Sequence, residues 1–192
     1  AGAFLVMAAK EMTFGVVLGL LAALPFDAAR IGGRFIDLFR GSSAEAALPY
    51  AGTRESATGD ALNQLLVAVA ASGLAFPLVL AALFKSFGLV QLGAFVASES
   101  VTTQVTTLVG ATFAVGLAIG APVAGASMAV DCLLGLISKA VPQLNLQDTG
   151  APVKILAGGA VAWLTIGLLA ERLLNLVVDS GTAIETIATL TR

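Results

Sequence analysis

Long windows without a charged residue constrain this chain more than any other feature of its sequence. They cover residues 12–26, 61–84, 86–98, 100–130 and 155–170. A membrane-spanning helix needs about 20 apolar residues, so the 24 residues of window 61–84 are enough for a span. As one helix, the 31 residues of window 100–130 would measure roughly 46 Å, more than a hydrocarbon core of about 30 Å. The windows do not alternate apolar and polar residues, so they predict an all-α membrane protein without strands.

Composition argues against soluble and catalytic classes of protein. The chain is 58% hydrophobic and 11% charged, whereas soluble domains carry about 25% charged residues. It has no histidine, so histidine metal sites and catalysis by a histidine base are excluded. The apolar neighbours of its single cysteine, Cys132, predict a packed thiol. A net charge of −2 offers no basic surface to nucleic acid. We therefore expect no enzyme activity, no cofactor and no metal ion.

A mixed-sign group of charged residues follows the first apolar window. Its members recur at spacings of three and four, which places them along one face of a helix: Asp27, Arg30, Arg34, Asp37 and Arg40. One interpretation is a solvated face whose charges pair within the chain, as Asp37 and Arg40 could at a spacing of three. The other is an interface whose charges pair with another subunit. The spacing fits both.

Two segments rich in helix-breaking residues divide the chain. Residues 41–59 predict a polar loop, and the prolines within residues 141–152 predict a second break. Pro77 and Pro122 lie inside apolar windows, where we expect them to kink helices rather than end them. The chain begins at Ala1 within an apolar stretch and without a methionine, so we expect leading sequence to be missing.

Two pairs of glycines have the spacing that lets helices approach closely. Gly15 and Gly19 are four residues apart, and so are Gly116 and Gly120. On a helix this spacing places two residues without side chains on one face, so a neighbouring backbone can come close. We read both pairs as signs of tight helix packing.

Four stretches, in this order and at this spacing, resemble the SctT/FliR family of type III secretion export-apparatus proteins. They are KEMTFGVVLGL at 10–20, GRFID at 33–37 with RG at 40–41, ESATG at 55–59 with NQLL at 63–66, and VPQLNL at 141–146 with GAPVKI at 150–155. The resemblance extends over about residues 10–172. Residues 147–149 depart from the family pattern because they are more polar.

The resemblance implies a subunit of an export gate rather than an enzyme. Such a subunit would pack with SctR-like and SctS-like subunits into a helical pore that exports unfolded proteins across the bacterial inner membrane. It would lie within the basal body, beside an SctU-like switch protein. The resemblance also implies an SctR-like part at residues 1–100 and an SctS-like hairpin at residues 101–192 that turns at residues 141–152. Injectisome and flagellar members both fit.

Candidate site residues follow from the resemblance and the spacings together. The predicted gate or turn residues are Pro142, Gln143, Leu144 and Asn145. The predicted subunit-interface residues are Arg34, Asp37, Arg40, Lys154, Gly116 and Gly120. The alternatives are a turn without a gating role and, for Lys154, a solvated helix end.

A second class of function is a secondary transporter or channel subunit for ions or small solutes. Its basis is the pair of proline- and glycine-interrupted apolar segments around Pro77 and Pro122, since discontinuous helices can bind ions. No acidic residue lies inside the two longest windows, which argues against an ion-coupling ligand there.

Overall fold

A computed structural model describes residues 2–41, 45–47, 54–73, 75–95, 98–140 and 146–190. Its elements, in chain order, are α1 Gly2–Arg40, β1 Glu45–Ala47, β2 Arg54–Ser56, α2 Ala57–Ser72, α3 Ala75–Leu89, α4 Glu99–Ala140 and α5 Leu146–Leu190. The predicted all-α class is confirmed. The loop between α1 and α2 also contains a short antiparallel pair, β1 with β2, in which Ala46 lies opposite Glu55. The apolar windows gave no sign of this pair because it lies in the polar loop.

Three very long helices dominate the structure. α1, α4 and α5 have 39, 42 and 45 residues, and each is long and apolar enough to cross a membrane. α1 packs along both α4 and α5, and α4 and α5 pack on each other as an antiparallel hairpin. Pro122 lies inside α4 without ending it, as expected. The predicted break over residues 141–152 is too long, because α5 begins at Leu146 and Pro152 lies inside it.

The expectation that Pro77 kinks a helix within residues 61–84 is wrong. The structure divides this window into α2 and α3, whose axes differ by 73°. α2 stops at Ser72, where Gly73 adopts an extended backbone conformation. Pro77, the third residue of α3, lies in a first turn, where a missing backbone N–H costs nothing. The break thus precedes Pro77 instead of being a kink at it.

Two apolar clusters form the interior. The first joins the C-terminal half of α1 to α2, α4 and α5, with Ile36, Ile119 and Leu169 among its fully buried members. The second joins the N-terminal half of α1 to α3, α4 and α5. In it, the rings of Phe14 and Phe95 lie 5.1 Å apart, a typical aromatic contact.

The last third of α4 extends beyond this interior. Cys132 is exposed there, so the prediction of a packed thiol is wrong. The apolar neighbours that suggested packing are themselves exposed, Leu133 and Leu136 among them. On this part of the helix an apolar neighbourhood in sequence does not correspond to an interior position.

Candidate functional site

Asp37 connects α1 to the first turn of α2. Its carboxylate is 6% exposed and accepts hydrogen bonds from the Ser56 hydroxyl at 2.6 Å and from the Thr58 backbone N–H at 3.0 Å. The Thr58 hydroxyl donates a further hydrogen bond to the second carboxylate oxygen. Ser56 is the N-cap of α2, where its side-chain oxygen accepts from the Gly59 N–H at 3.0 Å. A buried carboxylate therefore satisfies donors at the start of α2.

The backbones of α1 and α2 touch beside this carboxylate. A Cβ atom built on Gly33 would lie 2.2 Å from Gly59 Cα, which no real side chain tolerates. A Cβ on Gly59 would lie 3.0 Å from the Arg30 carbonyl oxygen. We call Gly33, Asp37, Ser56, Thr58 and Gly59 the α1–α2 lock. It joins the second and third motifs that carry the family resemblance.

The other charged residues of the α1 stripe lie apart from this lock. Arg34 is exposed and borders a groove of about 380 Å³ between α1 and α4, next to Asp27 and Arg30. Asp27 and Arg30 form a loose ion pair at 3.9 Å. Arg40 extends over α5 instead of toward Asp37, whose described hydrogen bonds all go to the start of α2.

Gly116 and Gly120 are buried against α1 of the same chain. A Cβ on Gly116 would lie 2.8 Å from Ile31 Cγ2, and one on Gly120 would lie 2.7 Å from Phe35 Cβ. The reverse contact is equally close, because a Cβ on Gly32 would lie 2.6 Å from Ile119 Cγ2. We call this the α1–α4 glycine contact. The spacing of this pair thus corresponds to tight packing, as the sequence predicted, whereas the same prediction is wrong for Gly15 and Gly19, which no described residue approaches.

Lys154 pairs with the other arm of the hairpin. Its ammonium group lies 2.6 Å from the carboxylate of Asp131 on α4. The remaining candidates, Pro142, Gln143, Leu144 and Asn145, lie outside the described residues.

A polar contact that sequence reasoning missed connects α1 to the segment before α4. Lys10 Nζ donates to the Gly93 carbonyl oxygen at 3.3 Å, and the Gly93 N–H donates to Glu11 Oε1 at 2.6 Å. Gly93 has a φ of +77°, which a residue with a side chain rarely adopts. The signal was available in part, because Lys10 and Glu11 interrupt an apolar stretch and need partners there.

These polar residues fasten helices to one another. Among the residues that the structure describes, no group of three or more aspartate, glutamate, cysteine or histidine side chains could hold a metal ion. The polar contacts fix the relative positions of α1, α2, α4 and α5 and of the segment around Gly93.

Comparison with known proteins assigns the family. The sequence model of the family described as "Bacterial export proteins, family 1" matches residues 1–179. The chain is 30% identical over 156 residues to the flagellar biosynthetic protein FliR of Bacillus subtilis, which is 79% of this chain and 60% of that protein. It is 30% identical over 148 residues to the Yop proteins translocation protein T of Yersinia pestis, which is 76% of this chain and 57% of that protein. The chain thus spans about three fifths of the length of these relatives, and it belongs to bacterial export protein family 1, the SctT/FliR family.

Proposed function

We propose that this chain is a structural, non-enzymatic subunit of the export apparatus of a type III secretion or flagellar system. In this proposal it packs with SctR-like and SctS-like subunits in the bacterial inner membrane, within the basal body. Together they form a helical pore through which unfolded proteins leave the cytoplasm. The family membership supports the export role, and the uncovered surface of the long helices supports the assembly.

The observation that carries this proposal is exposed apolar side chains that are spread over a greater length of α1 than a bilayer core is thick. Exposed large apolar side chains extend from Phe4, 74% exposed, to Leu20, and Leu38, 70% exposed, follows beyond the charged residues of α1. At 1.5 Å per residue Phe4 and Leu38 are roughly 51 Å apart, against a hydrocarbon core of about 30 Å. Lipid tails can cover only part of such a surface. Other subunits are the natural cover for the rest, because large exposed apolar patches mark contact surfaces.

The hairpin of α4 and α5 leads to the same conclusion. Only 11% of the most apolar 18-residue window of α5 is buried within the chain. At 45 residues, α5 would measure roughly 68 Å, about twice the hydrocarbon thickness. Its ionisable residues Lys154 and Glu185 reach partners on α4 and α3 respectively. These two charged side chains therefore have partners within the chain, while the apolar faces of the helices remain exposed.

The transporter alternative receives less support. It needs discontinuous helices that present ion ligands, and the helix break lies between α2 and α3, within residues 61–84. That window contains no charged residue, so no carboxylate within it is available to bind a coupling ion. At Pro122 the helix α4 is continuous.

Specific roles for the candidate residues are part of the proposal. Gln143 and Asn145, with Pro142 and Leu144, would shape the hairpin turn at the entrance of the pore.

Arg34, exposed on α1, is the candidate best placed to meet a partner subunit. Arg40, at the end of α1, contacts α5, Lys154 is ion-paired with Asp131, and the buried Asp37 would contribute by holding α1 on α2. Gly116 and Gly120 would contribute in the same indirect way, by holding α1 on α4.

Co-expression and native mass spectrometry test the assembly. The full-length protein, affinity-tagged and extracted in mild detergent with SctR-like and SctS-like subunits, should appear as a discrete hetero-oligomer that contains one copy of this chain. A monomer that binds neither partner would contradict the proposal, and solute transport by the purified chain would favour the alternative.

A secretion assay tests the turn. Replacing both Gln143 and Asn145 by alanine should reduce export while the complex still assembles. Unchanged export in an assembled complex would refute the gating role and leave a simple hairpin turn.

A further inference from the structure

A cavity of about 490 Å³ lies where the end of α1 and the start of α2 meet the middle of α5. Its wall is mostly apolar, with Ile36, Leu62, Leu65 and Ile166 among the lining residues. Its volume is that of a site for a small organic ligand. Thr58 of the α1–α2 lock also borders this cavity.

Arg40 provides a positive charge on this apolar wall. The Nε atom of Arg40 is buried and has no hydrogen-bond partner, and within the described part of the chain no carboxylate pairs with its guanidinium group. A guanidinium group carries only donors, so only an acceptor can satisfy it. A buried donor left without an acceptor is costly, which favours an occupant that supplies one.

α5 provides the space that the Arg40 side chain occupies. Its side chain crosses the helix at Gly158 and Gly159, where a Cβ on Gly158 would lie 2.5 Å from Arg40 Cγ. A Cβ on Gly159 would lie 3.3 Å from the terminal nitrogen Nη2. Two consecutive glycines therefore leave room for the arginine side chain and hold its guanidinium group at the cavity.

Two side chains at the cavity are of types that are enriched at the edge of a bilayer. Arg40 is the last residue of α1, one of the helices long and apolar enough to span. Trp163, the only tryptophan of the chain, lines the same cavity and is 74% exposed. Tryptophan and arginine side chains both concentrate at the level of lipid headgroups.

We propose that this cavity binds an anionic phospholipid. The phosphate accepts hydrogen bonds from the Arg40 guanidinium group, since guanidinium geometry suits paired phosphate oxygens. An acyl chain lies along the apolar wall between α2 and α5. Charge complementarity selects an anionic headgroup, and the apolar lining selects a lipid over a free anion. This inference needs only that the chain resides in a membrane, so it stands or falls independently of the export role.

Native mass spectrometry of the full chain in detergent tests the proposal. The probes are phosphatidylglycerol and phosphatidylcholine with identical acyl chains, titrated against the wild type and two arginine variants. Arg40→Gln should weaken phosphatidylglycerol binding about tenfold, the loss expected for hydrogen bonds to a charged group. The matched control Arg34→Gln removes the same charge from an exposed site outside the cavity and should leave binding unchanged.

A second variant keeps the test informative if Arg40→Gln does not fold. Ala61 is exposed and lines the cavity, so Ala61→Phe should fill it without disturbing the arginine, and should also abolish the preference for phosphatidylglycerol. Equal binding of both lipids by the wild type overturns the proposal, as does full binding by Ala61→Phe. Loss of the lipid when partner subunits assemble overturns it too, because a partner would then occupy the cavity.

Discussion

The two halves of α1 each carry a pair of glycines, and the two pairs have opposite surroundings. In the C-terminal half, Gly32 and Gly33 are buried against α4 and α2, and added Cβ atoms would collide with Ile119 and Gly59. In the N-terminal half, Gly15 and Gly19 are exposed, and nothing lies within 4 Å of a Cβ built on either. A pair of glycines therefore lies in a packed contact in one half and on an open surface in the other.

The difference depends on which side chains occupy the buried face. In the N-terminal half, that face carries the large residues Phe14, Leu18 and Leu21, which keep the neighbouring helices at a distance. In the C-terminal half, it carries Ala28 and Ala29 beside the glycines, so backbones can touch. Glycine spacing indicates close approach only when the glycines themselves lie on the buried face.

The largest effect should come from a methyl group at the α1–α2 lock. Gly33→Ala places a Cβ against the backbone of α2, which cannot move aside as a side chain can. We expect the free energy of unfolding to fall by about 3 kcal/mol or more, the upper range for overpacking. Reversible unfolding in mixed micelles measures this loss of free energy. The control Gly15→Ala, on the open face of the same helix, should be neutral or slightly stabilising; equal losses for both would contradict the comparison.

The next largest effect should come from the carboxylate of the same lock. Asp37→Asn replaces one acceptor oxygen by an NH2 group that faces the donors of Ser56 and Thr58. We expect a loss of about 2 kcal/mol, typical of hydrogen bonds to a buried charged group. Faster hydrogen exchange of the Thr58 and Gly59 amides should locate the effect at the start of α2.

Asp27→Asn is the matched control for that carboxylate. Asp27 is half exposed and its distance to Arg30 is 3.9 Å, so the change should cost well under 1 kcal/mol. If Asp27→Asn destabilised the chain as much as Asp37→Asn, the charged stripe would act as a whole and the lock would not be a distinct feature.

A smaller effect is expected at the α1–α4 glycine contact. Gly116→Ala meets a side-chain atom, Ile31 Cγ2, which can shift by a rotamer change. A loss of about 1 kcal/mol is therefore expected, the low end for overpacking. Gly110→Ala on the same helix meets open space and should not destabilise. Unfolding in mixed micelles compares the pair, and a Gly116→Ala variant as stable as Gly110→Ala would show that the contact is loose.

The sequence was sufficient to predict the elements that depend on local signals. The predicted break over residues 141–152 is right at its start, because α4 ends at Ala140, but α5 already begins at Leu146. The glycine spacings predict tight packing, which the pair at 116 and 120 shows and the pair at 15 and 19 does not within the described part of the chain. Such signals act within a few residues, through missing N–H groups or missing side chains.

The features that depend on contacts between distant segments were not predictable. Asp37 has a potential partner three residues away in Arg40, yet it bonds Ser56 and Thr58 across the loop. The window 61–84 contains no charge to indicate that it divides after Ser72. In both cases the outcome depends on which helix faces meet, and single-chain spacing does not contain that information.

The smallest effect on the chain itself should come from enlarging the open face of α1. Replacing both Gly15 and Gly19 by leucine fills space that no described residue occupies, so the free energy of unfolding should change by no more than about 0.5 kcal/mol. In the proposed assembly, by contrast, the two leucine side chains would displace a partner helix from this face. Recovery of partner subunits with the tagged variant should therefore fall while its unfolding stays as in the wild type. Full recovery would show that lipid alone covers this face, and would confine the subunit contacts to the remaining exposed surfaces of α1, α4 and α5.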